Sequence, residues 1–89
     1  MKPEFARAWN NLVVALINVG RASEAVAALD KATALKPDFA EAWANRGAAL
    51  WQIGRVGLAI ASMDKALQID PNNKDAINLR QLVREKLKR

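Results

Sequence analysis

The chain has 89 residues, 52% hydrophobic and 26% charged, which describes one globular domain able to bury a modest core without a disulfide or structural metal. With no cysteine and no histidine it lacks thiolate chemistry, imidazole bases and the usual zinc ligands. Its net charge of +5 is substantially a tail effect, since residues 70–89 carry six Lys or Arg against three Asp or Glu, while residues 1–69 carry eight against six.

The N-terminal MKPEFARAW has neither a long apolar core nor a small-residue cleavage site, and no run approaches the ~20 apolar residues of a membrane span. A cytoplasmic location is therefore expected. The first helix is expected over about residues 4–19. Within it NNLVVALINVG, residues 10–20, is too apolar for a helix that buries only one side. At about 100° per residue, Trp9, Leu12, Ala15, Leu16 and Val19 share the face expected to be core, with Val14 and Ile17 nearly opposite and Val13 between them. Gly20 ends the helix by taking the left-handed C′ conformation, and Ser23 is the expected N-cap of a second helix that continues through AVAALDKATAL. That helix must end before Lys36-Pro37, because a residue preceding proline is pushed out of the α region.

The same grammar then repeats. A third helix is expected over about residues 39–53, ending at Gly54; a fourth follows with Gly57 in the place of Ser23 and ends before Pro71. Pro3, Pro37 and Pro71 are spaced by 34 residues, and ARAWNNLVVALINVGRASEAVAALDKATALKPDF aligns without a gap over AEAWANRGAALWQIGRVGLAIASMDKALQIDPNN. DPNN, residues 70–73, reads as a loop leading to a fifth helix, KDAINLRQLVREKLKR. Large residues (Trp9, Leu16, Leu29, Trp43, Leu50, Met63) alternate with small ones (Ala15, Ala25, Ala32, Ala49, Ala59, Ala66), a pattern that lets antiparallel helices approach closely. The expected architecture is all-α: one domain over residues 1–89, with repeats over about 6–39 and 40–73 and a closing helix over 74–89, forming an α-solenoid of five helices.

The 34-residue period, the Trp near the start of each first helix, Gly47, the Gly54 turn, the Ala59 and Ala66 pair and the closing Pro71 together resemble the tetratricopeptide repeat. The first copy departs from that pattern in having Val13 where the second has Gly47. The resemblance implies a superhelical scaffold whose first helices line a concave groove for peptides or partner proteins. The implied groove positions are Arg7, Asn10, Val14, Ile17 and Asn18 in the first repeat and Glu41, Ala44, Ala48, Trp51 and Gln52 in the second. Val14 and Ile17 thereby join Ala48 and Trp51, one period on, in an apolar stripe. The alternative for that stripe is internal packing, with Ile17 and Trp51 covering each other or Trp51 packing on Leu82 of the fifth helix. Similar domains that clamp the acidic C-terminal tail of a chaperone use Lys, Asn and Arg at positions matching Asn10, Val14, Asn45, Asp75 and Leu79. Only Asn45 agrees, and Asp75 has the opposite charge, so a carboxylate clamp is not expected.

No catalytic function, metal or cofactor is expected, since Ser23 and Ser62 have no histidine to activate them and no Gly-rich phosphate loop is present. The recurring Asp30-Lys31 and Asp64-Lys65 read as solvated outer-surface charges. Two functions stay open: an adaptor that takes an apolar segment of another protein into the groove, and self-association of two copies through the groove stripe. Nucleic-acid contact through the basic tail is a weaker third, because no aromatic residues are interleaved there to stack on bases. A two-repeat chain that opens almost at the repeat boundary reads as an excised or engineered piece.

Overall fold

The computed structural model describes residues 3–87, and for residues 3–7, 9 and 10 the backbone alone. It contains five helices among the described residues: α1 (Pro3–Asn18), α2 (Ala22–Leu35), α3 (Ala40–Gln52), α4 (Val56–Ile69) and α5 (Lys74–Leu87). Each helix packs on the next, and α1 touches α3 as α3 touches α5, whereas α2 and α4 do not meet. The odd-numbered helices thus lie side by side on the inner curve and the even-numbered ones splay on the outer curve, giving the two-layer solenoid that the repeat implies.

Gly20 and Gly54 end α1 and α3 with φ of 82° each. The Arg21 N–H donates to the Leu16 carbonyl at 2.8 Å and the Gly20 N–H to Ile17 at 3.1 Å; Arg55 and Gly54 repeat this with Leu50 and Trp51 at 2.9 and 3.1 Å. Both ends are Schellman turns, which need a residue tolerant of positive φ. The turn also displaces the expected cap. Arg21 occupies the N-cap position of α2 with no side-chain cap bond, and Ser23 lies exposed within the first turn. Because Arg21 supplies the last bond of one turn, it is already placed to start the next helix, and its carbonyl accepts from Ala25 at 3.1 Å. At α5 the cap is a side chain, with Asn73 Oδ1 accepting from the Ala76 N–H at 2.9 Å.

The small residues do most of the close packing. Ala25, Ala32, Ala49, Ala59 and Ala66 are fully buried, as are Leu29, Leu50 and Met63 or nearly so. A Cβ on Gly47 would lie 3.1 Å from the Ala59 carbonyl oxygen, 3.1 Å from Leu79 Cδ2 and 3.2 Å from Met63 Cγ, so α3 and α4 meet there with no room for a methyl group. Val13, one period earlier, is instead a fully buried core side chain beside Ala25 and Leu29.

The face of α1 expected to be core needs correcting. Leu12 is 46% exposed, Val19 is exposed and Ala15 is exposed, while Val13 is buried and Leu16 and Ile17 are half-buried against the first cluster. The cause lies in the repeat geometry: Ala49 and Leu50, the counterparts of Ala15 and Leu16, are buried in a repeat that has α2 packed before it. In the first repeat the equivalent face is open among the described residues. The side chain of Trp9 lies outside the described residues.

Arg46 joins three helices. Its Nε donates to Asp30 Oδ1 on α2 at 3.1 Å and its Nη1 to the fully buried Ser62 Oγ on α4 at 2.7 Å. Its guanidinium lies 5.8 Å from the centre of the Trp43 ring, whose Nε1 donates to the Pro37 carbonyl at 2.8 Å. Asp30 is therefore an inter-repeat ion-pair partner rather than a purely solvated charge, and Ser62 is a structural hydroxyl.

Candidate functional site

On the inner curve α1, α3 and α5 enclose one open cavity of about 420 Å³. α1 contributes Val14; α3 contributes Glu41, Ala44, Asn45 and Ala48; α5 contributes Asp75, Asn78, Leu79 and Leu82. The spacing follows from the helix period, since 41, 44, 45 and 48, like 75, 78, 79 and 82, fall on one face of their helices. Ala44 and Ala48 keep the floor low, while Val14 and Leu82, 41% and 42% exposed, form apolar walls. The charged lining groups are Glu41 and Asp75. The cavity is thus an apolar trough with carboxylates along it, and among the described side chains no Lys or Arg lines it.

Four of the ten groove positions implied by the repeat, Val14, Glu41, Ala44 and Ala48, come together here. Ile17 and Trp51 are not among the residues that line the cavity: Ile17 packs on the cluster that joins α1, α2 and α3, and Trp51, half-buried, packs together with Ala48 against Met63, Leu79 and Val83. Asn18 and Gln52 are exposed at the ends of their helices, away from the cavity. The side chains of Arg7 and Asn10 lie outside the described residues. Of the α5 lining residues, Asp75 and Leu79 match clamp positions, while Asn78 and Leu82 were absent from the expected groove, yet the 34-residue offset that relates Val14 to Ala48 also relates Ala44 and Ala48 to Asn78 and Leu82. Extending the period into the closing helix would have found them.

Nothing in the trough suggests covalent chemistry. Among the described residues no group of three or more Asp or Glu is placed to hold a metal ion, and no helix is long and apolar enough to cross a membrane.

Helix pairs repeated at a fixed period, stacked into two layers with a lined inner curve, define a helical-repeat scaffold. The sequence of residues 10–74 matches the family model of the tetratricopeptide repeat, and the chain belongs to that family, whose domains generally mediate protein–protein interaction. No curated protein matches it in sequence. The chain is similar to many solved structures, two of them at 23% identity. One is the first TPR of Spaghetti (RPAP3) bound to the HSP90 peptide SRMEEVD, with a TM-score of 0.86 over 94% of this chain and 67% of that one. The other is the NMR structure of the first TPR domain of the human RPAP3 protein, with a TM-score of 0.88 over 97% of this chain and 68% of that one. At this identity the likeness is one of fold.

Proposed function

We propose that the chain is a non-enzymatic interaction scaffold that takes an extended or helical segment of another protein into the α1–α3–α5 trough. One observation carries this reading: three helices bring Val14, Ala48, Leu79 and Leu82 to the rim and floor of a single cavity. Apolar side chains gathered in a concavity offer a pocket for an apolar anchor, and polar groups at its edge set orientation.

The charge of the trough selects among such segments. The related domain holds the peptide SRMEEVD, which carries three acidic side chains. Here Asp75 and Leu79 stand at two clamp positions, and Glu41 adds a second carboxylate. An acidic tail would meet like charges, so the favoured partner presents an apolar residue flanked by Lys or Arg.

Selection of a displayed peptide library against the chain tests this. Enriched sequences should be apolar and cationic, and Val14→Lys with Leu82→Lys, both at exposed positions, should weaken the selected peptides at least tenfold, by losing apolar contact and opposing their charge, while the helical signal persists. Binding of SRMEEVD in preference to its Lys-substituted counterpart, or binding indifferent to the double variant, would overturn the assignment.

A further inference from the structure

A second apolar surface lies at the opposite end of the molecule from α5, where Leu12 and Leu16 of α1 and Glu24, Ala27, Ala28 and Lys31 of α2 border one open cavity of about 440 Å³. The fold shows what such a face is for. One period on, Leu50 and Ser62, the counterparts of Leu16 and Ala28, are buried, and Arg46, the counterpart of Leu12, reaches back to Asp30 of the preceding repeat. In the first repeat the reaching arginine is replaced by the exposed Leu12 and the buried serine by Ala28, itself nearly buried, so the polar staple gives way to an apolar surface formed by Leu12, the half-buried Leu16 and Ala27.

The six residues are self-complementary. Glu24, Ala27, Ala28 and Lys31 lie along one stripe of α2, with the acid and the base equidistant from the midpoint between the two alanines. Leu12 and Leu16 stand one turn apart on the antiparallel α1. A twofold axis crossing that midpoint in the plane of the face would set α2 antiparallel to α2 of a second copy. Ala27 would then lie over the nearly buried Ala28 of the second copy, Leu12 would meet Leu16, and Glu24 would meet Lys31 at both ends. Small central residues permit close approach, and the charges would be satisfied only in this antiparallel register. Glu24 already accepts from Arg21 at 2.6 Å, but both side chains are more than half exposed, so the carboxylate is within reach of a further cation.

We infer that the α1–α2 end face docks a second copy of this chain across a twofold axis, forming a homodimer that leaves the α1–α3–α5 trough open. The patch is bordered by six residues, against the roughly 20–30 a side of a standard stable interface, so the association is weak and concentration-dependent. It is independent of the groove assignment.

Sedimentation equilibrium from about 10 µM to 1 mM, a range that brackets weak association, should show the mass rising from 9.8 kDa toward twice that value. Glu24→Lys and Lys31→Glu should each remain monomeric, having placed like charges opposite one another. Mixed in equal amounts they should form a heterodimer, and the double reversal in one chain should restore self-association. Both positions are exposed, and circular dichroism verifies the fold of each variant. Ala27→Glu, also at an exposed position, provides a second block that leaves the original charges in place. A parent that stays monomeric at about 1 mM overturns the inference and leaves the face to a helix of another protein. So does dimerisation that survives both single reversals, or that is lost in Val14→Lys with Leu82→Lys, since that result would place the contact in the trough.

Discussion

Replacing Arg46 with methionine should loosen both repeats at once. The substitution keeps most of the aliphatic stem and removes the guanidinium, so three interactions go while little packing changes. The bond to Ser62 Oγ is short, charge-assisted and made to a fully buried hydroxyl, a class worth about 1.5–3 kcal/mol. The pair with Asp30, whose side chain is 58% exposed, adds roughly 0.2–1 kcal/mol, and the contact with Trp43 about 0.5 kcal/mol. Some compensation comes from the Ser62 hydroxyl, which can turn to its own helix, so the expected loss is about 2–3 kcal/mol. In a domain of this size that lowers Tm by roughly 10–20 °C. Urea denaturation followed by circular dichroism measures the loss, and a double-mutant cycle with Ser62→Ala isolates the buried bond, with an expected coupling of about 1–2 kcal/mol. If Arg46→Met stays within about 0.5 kcal/mol of the parent, the three-helix staple contributes nothing and the packing alone sets the repeat geometry.

Other substitutions test particular close contacts. Gly47→Ala should destabilise by about 1 kcal/mol net, because forcing a methyl group against the Ala59 carbonyl outweighs the gain in helix propensity; a stabilised variant in a chemical melt would refute the contact. Gly57→Ala, which meets nothing within 4 Å and has no positive φ, should stabilise by about 0.4–1 kcal/mol in the same assay. Gly54→Ala should instead cost about 1 kcal/mol, since its φ of 82° suits glycine, and equal melts for the two variants would contradict the Schellman turn. Trp51→Ala should cost about 2 kcal/mol by loosening α5, with amide exchange in α5 accelerating before that in α2; unchanged α5 protection would free Trp51 from its packing role.

Much of this architecture was legible from local signals. Gly20 and Gly54, Pro37 and Pro71, and the 34-residue offset mark turns and helix ends because they restrict φ and ψ without reference to distant residues. The resemblance to the tetratricopeptide repeat implied Val14, Glu41, Ala44 and Ala48 as inner-curve positions, and the 34-residue offset carries the last three on to Asp75, Asn78 and Leu82. Neighbours, however, are not periodic at the ends of an array. Helical spacing sorted the residues of α1 into faces but gave no means of telling which face has a helix against it, so Leu12, Ala15 and Val19 looked like core and are exposed, whereas Val13 is buried. Ser23 had the chemistry of a cap and lost the position to Arg21, whose backbone was already committed by the preceding turn. Trp51 and Ile17 share a register position, yet they pack on different clusters because one has α5 beside it and the other has α3. The Arg46 staple spans 16 residues in each direction along the chain and exists only because stacking brings α2, α3 and α4 to one point. Backbone restriction acts within a few residues and so can be read along the chain, whereas burial and long-range hydrogen bonding depend on what lies across the interface.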